Sequence, residues 1–474
     1  MYADQHPGAF VSMPDELTWL PPLLAFLPPV VCLVVEFLVI RRTLQLATSG
    51  FTSAVRRASV RLRVLQWVVI GCTVVSLIGL GWLELIRTVT GNLVVLDELL
   101  AVLPALFLLA MLWAVQWPLE RLLRESILMR RLDQGLPIHP IPSTGRYVIE
   151  QFRLHLLLIV APAFTVLALV EIADLSTRLL LPEESATAVA PWAAGGAGLL
   201  GLLLAPLVIS RAIGATPLPS GTMRGAMEQV LRDADVRVRD ILVWPTGGSL
   251  LNGAVIGLAP RLRFVLLTDG LLELLTLDQI RAVMAHETGH LRYRHLPWTA
   301  LILVTLFAGY GQLMEWIINP IFQAMIPTSS DPARLQATFE IFGVVMVVGL
   351  CFFSFGLISR RFELQADAAA ACDLTFRNRE EDQSAAAGIV SPRAVDLMSS
   401  ALGMVAAVNG LDPARHTWRH GSIRWRQQRL RSIVGRPITG LRIDAQIRFL
   451  KGFTLLVFLC LVLIWTLQYL AQAS

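Results

Sequence analysis

Eight stretches of this 474-residue chain are apolar over about 20 residues: 19–40, 64–86, 93–117, 155–181, 189–210, 298–322, 338–358 and 450–470. No other feature restricts the fold as much. In hydrocarbon the backbone N–H and C=O groups must bond within their own segment, so isolated runs of this kind can only be helices. The fourth run is interrupted toward its end by Glu171, Asp174 and Arg178. Hydrophobic residues make up 55% of the chain and charged residues 16%, against roughly a quarter charged in soluble proteins. The expected class is a polytopic α-helical membrane protein whose partner is the lipid bilayer. A net charge of +5 is not a nucleic-acid signal, because the arginines sit in connections between apolar runs. The basic side is almost purely arginine, with Lys451 the only lysine. Cys32, Cys72, Cys351, Cys372 and Cys460 form neither a CxxC pair nor a disulfide pattern. Asp4, Asp15 and Glu16 precede the first apolar run, so a cleaved signal peptide is not expected.

Arginine placement orients the spans. Arg41, Arg42, Arg56, Arg57, Arg61 and Arg63 follow the first run, and Arg121, Arg124, Arg130, Arg131, Arg146 and Arg153 follow the third. The alternate connections hold only Arg87 and Arg334. The positive-inside rule puts both termini outside and segments 211–297 and 359–449 in the cytoplasm. The expected organisation is a membrane region at 1–210, a cytoplasmic part at 211–297, two spans at 298–358, a second cytoplasmic part at 359–449, and a last span with its tail at 450–474. Within the polar parts, Val236–Trp244 and Leu262–Thr268 are expected strands, with a turn at Pro245 and a further strand near Ala254–Ile256. A helix is expected from Asp269 through Leu275, another from Thr276 onward, and a third over 392–408; 377–391 is expected to be a mobile loop.

The helix beginning at Thr276 carries AVMAHETGHLRYRH. Residues i and i+4 share a helix face, so His286 and His290 can offer two imidazoles to one zinc ion, with Glu287 beside it as a general base. Glycine lowers helix propensity, but Gly289 leaves room for a close backbone approach. A two-histidine site of this kind needs a carboxylate ligand and an open position. Glu363, in RRFELQADAAA, is the candidate, and Asp367, four residues on, can accept a hydrogen bond from a ligand histidine. His295 falls one residue early for a third histidine ligand, and Tyr293 stands where that pattern needs glycine. It is expected to be a capping or interface residue.

LLNGAVIG, FVLLTDGLLELL, IRAVMAHETGHLRYRH, RRFELQADAAA and RHGSIRWR occur in that order. Over about residues 220–430 the chain resembles the membrane-integrated gluzincin proteases that include HtpX and the type I CAAX prenyl endopeptidases. The resemblance implies an α+β zinc-metalloprotease domain, one zinc ion held by His286, His290 and Glu363, and Glu287 as the base for a zinc-bound water. It further implies that Asn252 lies beside the substrate backbone and that His420 and Arg426 help stabilise the scissile carbonyl. Gly421 stands where the family often has proline. The implied substrates are membrane-associated proteins or peptides, and a bacterial inner membrane is the expected setting. Two other classes compete. One is a transporter, whose signature acids would be Glu36, Glu84, Asp97, Glu98 and Glu315. The other is a zinc-bearing but inactive receptor, against which an intact Glu287 argues.

Overall fold

The computed structural model describes residues 23–45, 51–91, 96–133, 135, 137–325, 332–377 and 383–473. It forms two compact units, Met1–Ala215 and Thr216–Ser474.

The first unit is helical: α1 (Leu27–Gln45), α2 (Phe51–Val74), α3 (Trp82–Thr90), α4 (Leu96–Asp133), α5 (Thr144–Gln151), α6 (Leu158–Leu180) and α7 (Glu183–Ala212). A π-helical turn at Phe152–Leu157 joins α5 to α6, giving one 37-residue helix from Thr144 to Leu180. Arg178 pairs with Asp174 at 2.7 Å one turn away, so the charges that interrupt the fourth run do not break it. Trp113, Trp117 and Tyr147 form the buried centre of this unit, with the Trp113 and Phe152 rings edge to face at 5.0 Å. Gly201 lies so close to Val166 that a Cβ there would come within 2.9 Å of the Val166 Cα, so only glycine lets α6 and α7 approach this far. Three of the acids that a transporter would use are ion-paired. Glu36 accepts from Arg61 at 2.6 Å, and Asp97 and Glu98 both accept from Arg87.

The second unit contains the sheet. Its elements are β1 (Thr216–Pro217), α8 (Thr222–Asp233), β2 (Asp240–Trp244), β3 (Gly253–Ile256), β4 (Phe264–Thr268), α9 (Asp269–Leu274), α10 (Leu277–Arg292), α11 (His295–Leu313), α12 (Asn319–Met325), α13 (Pro332–Arg377), α14 (Gln383–Ala386), α15 (Pro392–Val408), α16 (Ile423–Arg431) and α17 (Arg442–Ala473). The strand order is β1-β2-β4-β3, with β2 parallel to β4 and β3 antiparallel to it at the edge. The strand expected from Val236 begins only at Asp240. Asp235 adopts a left-handed conformation (φ 51°), and Val236 N–H bonds the Leu231 carbonyl to close α8, which uses up the first residues. In the segment expected to be a mobile loop, the described residues contain α14 and a bridge from Ile389 to Pro437.

One core joins sheet and helices. Val265, Leu267, Ile280, Met284, Ala370 and Ala371 are all fully buried in it. The 46-residue α13 continues from an apolar stretch directly into the segment bearing Glu363 and Asp367. An unbroken helix transmits position rigidly, so the membrane end of α13 fixes where Glu363 stands.

Six described helices are long and apolar enough to cross a membrane, or seven if the bent pair Val64–Leu77 and Trp82–Thr90 forms one span. The expectation of eight is not reached among the described residues. The run at 19–40 starts outside them, and its helix α1 carries Glu36, Arg41 and Arg42, which lowers its apolarity.

Candidate metal centre

Helix α10 starts at a capping box. The Thr276 hydroxyl accepts from Gln279 N–H at 3.3 Å, and the Gln279 side chain accepts from Thr276 N–H at 3.1 Å. Asp278 in the first turn meets the positive end of the helix dipole. The last turns carry His286, Glu287 and His290 against α13. A Cβ on Gly289 would sit 3.2 Å from Ala366 Cα and 3.3 Å from Ala369 Cβ. Glycine and the small residues of α13 therefore let the two backbones approach closely enough for Glu363 to meet both histidines. Gly289→Val is expected to cost about 1–3 kcal/mol of stability through overpacking. Thermal melting of the purified protein measures this, and a melting temperature equal to that of the unaltered chain would refute the tight-contact reading.

The three candidate ligand groups converge. His286 Nε2 and His290 Nε2 are 3.2 Å apart, Glu363 Oε2 is 3.6 Å from the former, and Glu363 Oε1 is 3.7 Å from the latter. Zinc bonds of about 2.0–2.2 Å in tetrahedral geometry require ligand–ligand edges of roughly 3.3–3.6 Å. The two ring nitrogens and the two carboxylate oxygens therefore lie close to the spacing a zinc site needs, and one ligand atom from each of the three residues lies within 4.8 Å of the others. Asp367 Oδ1 stands 3.0 Å from His286 Nδ1, a contact whose angle falls short of a hydrogen bond. It leaves Nε2 as the inward-facing atom.

The electrostatics suit a cation. Burial is the largest influence on His290 and lowers its pKa to about 3, so the ring is neutral, the form a metal requires. Burial also opposes charge on His286, but the neighbouring Asp367 outweighs it and the net direction is upward. Glu287 is raised chiefly by burial, with the Glu363 charge adding to it.

Arg426 sits deeper than the sequence suggested. It forms a two-pronged bond to Asp367, Nε to Oδ2 at 2.8 Å and Nη2 to Oδ1 at 2.6 Å, and its Nη1 lies 3.3 Å from Glu363 Oε2. It is 6% exposed, and its described bonds all go to carboxylates of the chain. Burial opposes its charge, but Asp367 and then Glu363 hold it firmly protonated.

His420 approaches from the loop before α16. Its Nδ1 is 3.0 Å from Glu363 Oε1 while about half its side chain remains exposed. The loop is pinned by Trp418, whose indole N–H donates to the Phe352 carbonyl at 2.8 Å and whose ring packs on Phe352 and Phe355. Gly421 takes φ 72°, which proline, locked near about −65°, cannot adopt. Ser422 then caps α16 by accepting from Trp425 N–H at 3.2 Å, which sets the helix that presents Arg426.

Asn252 is not drawn into this cluster. Its side chain is exposed, and its backbone exchanges bonds with the Thr268 hydroxyl just before β3. The strand that follows does reach the centre: a Cβ on Gly253 would lie 3.3 Å from Glu287 Cγ. Sequence reasoning missed a further group. His295, expected as a cap or interface residue, is buried with its Nδ1 2.8 Å from His290 Nδ1. It arrives there because Arg294 takes a left-handed conformation (φ 54°) and reverses the chain between α10 and α11. The only sequence signal was a second nearby histidine in an otherwise apolar helix start.

Residues 227–434 match the model of peptidase family M48. A CAAX prenyl protease 1 homolog from Oryza sativa subsp. japonica is 27% identical over 161 residues, covering 33% of this chain and 37% of that protein. A Protease HtpX homolog from Methanocaldococcus jannaschii is 26% identical over 147 residues, covering 31% of this chain and 50% of that protein. The chain therefore spans about a third to a half of the length of these curated relatives. A solved structure, that of S. mikatae Ste24p, is similar at a TM-score of 0.43 and 16% identity, covering 86% of this chain and 98% of that one.

Proposed function

We propose that this chain, whose residues 227–434 match the peptidase family M48 model, is a zinc-dependent membrane endopeptidase. In this reading it hydrolyses peptide bonds of membrane-associated proteins at the cytoplasmic face. The observation that carries it is the convergence of His286, His290 and Glu363, with the two Nε2 atoms 3.2 Å apart and a carboxylate oxygen 3.6 and 3.7 Å from each, beside a half-buried Glu287. His286, His290 and Glu363 would hold the ion. When bound, zinc supplies a Lewis acid that lowers the pKa of water to about 7 and polarises the scissile carbonyl.

The chain's own groups do the rest. Glu287 takes a proton from the attacking water and passes it to the leaving amine, and its upward-shifted pKa suits a group that must hold and release that proton. His420 Nδ1 faces the Glu363 carboxylate, so its Nε2 can donate to the carbonyl oxygen as that gains charge when the ring carries a proton on both nitrogens. β3 is a sheet edge, so Gly253–Ile256 can take an extended substrate as an added strand, delivering it next to Glu287. Asn252, at the entrance to that strand, is read as flanking the substrate backbone. Arg426 acts by locking Asp367 and Glu363 in place.

The orientation rests on the arginine-rich connections and the positive-inside rule. A bacterial inner membrane is the setting we propose, with quality control or specific processing as the task. Of the acids named for the transporter reading, Glu36, Asp97, Glu98 and Glu315 have a side-chain partner within the chain, and Glu84 does not carry the reading alone.

Metal removal tests the proposal. The purified protein should contain one zinc per chain, lose peptide cleavage on stripping with a chelator, and regain it when zinc is restored. Full cleavage by metal-free protein, or failure to take up zinc, would sink the reading.

A further inference from the structure

His290 is the end of a chain of bonds that leads away from the metal centre. His290 Nδ1 lies 2.8 Å from His295 Nδ1, His295 Nε2 lies 2.9 Å from Gln365 Oε1, and Gln365 Nε2 donates to Asp444 Oδ1 at 2.7 Å. The four residues come from α10, α11, α13 and α17. His295 and Gln365 are each only 3% exposed. The His295 ring is stacked on Phe362, with centroids 4.4 Å apart and planes within 8°. Tyr293 lies nearly parallel at 6.0 Å. The ring is thus held in one plane, away from water.

We propose that His295, Gln365 and Asp444 form a positioning relay that fixes the tautomer of His290, so that its proton stays on Nδ1 and the lone pair of Nε2 faces the metal. The inference rests on the zinc reading of the centre. The direction follows from donor and acceptor chemistry at the far end. Gln365 turns its NH2 group toward a carboxylate oxygen of Asp444, which accepts. The Gln365 carbonyl oxygen then faces His295, which must present an N–H at Nε2. A neutral imidazole with its proton on Nε2 has an acceptor at Nδ1. His290 therefore donates from Nδ1, and its Nε2 carries no proton. The opposite direction would place a proton on His290 Nε2, the atom 3.2 Å from His286 Nε2 and 3.7 Å from Glu363 Oε1, where it would block a ligand.

Each ligand histidine thus has a different group beside its far ring nitrogen. For His286 it is Asp367, close to Glu363 in sequence. For His290 it is a neutral relay anchored at Asp444 in the final long helix. That helix also holds the same elbow through Lys451, whose ammonium donates to the Tyr293 carbonyl at 2.7 Å. The relay makes the position of α17 a determinant of metal affinity.

The test uses the full-length protein in detergent and measures zinc affinity by competition with a chromophoric chelator, together with the visible absorption of the cobalt(II)-substituted protein. His295→Phe keeps an aromatic ring on Phe362 but removes both nitrogens, and Gln365→Leu keeps volume but removes the amide. Both should weaken zinc binding about 10–100-fold and alter the cobalt spectrum, with the melting temperature of the metal-free protein little changed. Asp444→Leu should weaken zinc binding similarly. Asp444→Asn should stay within about threefold of the unaltered protein, because an amide oxygen can still accept from Gln365. Zinc affinities unchanged in His295→Phe and Gln365→Leu, or Asp444→Asn as weak as Asp444→Leu, would overturn the relay. An unaltered protein that binds no zinc would instead overturn the metal reading on which the relay rests.

Discussion

Glu287→Gln is expected to lower peptide hydrolysis about 10³-fold or more while leaving zinc bound at one ion per chain. Glutamine matches glutamate in size, so the packing of this side chain against Gly253 is retained. It cannot take a proton from water, and that is the step assigned to the residue. The three proposed ligands lie on other side chains, so metal content should not change. Cleavage of a quenched-fluorescent peptide, measured beside zinc content by elemental analysis, reads both quantities. Hydrolysis within tenfold of the unaltered protein would remove Glu287 from the mechanism. Loss of zinc would show that it holds the metal.

Arg426→Met should be the most damaging single change to stability. It leaves Asp367, 1% exposed, without its two-pronged partner, and removes the guanidinium that lies 3.3 Å from Glu363. Breaking a buried ion pair from one side costs about 3–5 kcal/mol, because the remaining charge stays desolvated. For a unit of this size that corresponds to a fall of roughly 10 °C in melting temperature. Arg426→Lys should recover little, since one ammonium cannot bond both carboxylate oxygens in a fork. Adding Asp367→Asn to Arg426→Met should regain part of the loss by removing the stranded charge. A melting temperature for Arg426→Met within about 2 °C of the unaltered protein would show that the pair carries no net stability.

The helices were legible because their signals are local. An apolar run of about 20 residues has few alternatives to a helix, and the capping box at Thr276 and Gln279 marks the start of α10 within four residues. The edge strand Gly253–Ile256 was also close to its expected place. The start of β2 was misjudged because Val236 alternates like a strand while Asp235, in a left-handed turn, commits the next residues to closing α8. Nothing in the alternation pattern reports that turn. Similarly, the Ala- and Gly-containing stretch before Pro392 looked mobile, yet its described end pairs with Pro437, a contact set 48 residues along the chain.

At the centre the division is sharper. His286, Glu287 and His290 follow from helix periodicity alone, and Glu363 and Asp367 share a face four residues apart. These are spacings within one helix each, so sequence determined them. Sequence did not determine that Gly289 lets α13 come within contact of α10, that Arg426 turns inward to two carboxylates, or that His295 backs His290 through Gln365 and Asp444. Those depend on distances between residues 59 to 79 positions apart. Periodicity encodes which face of a helix a residue occupies. Which faces meet is decided by close packing of small residues and by the requirement that every buried polar group find a partner, and only the tertiary structure satisfies both.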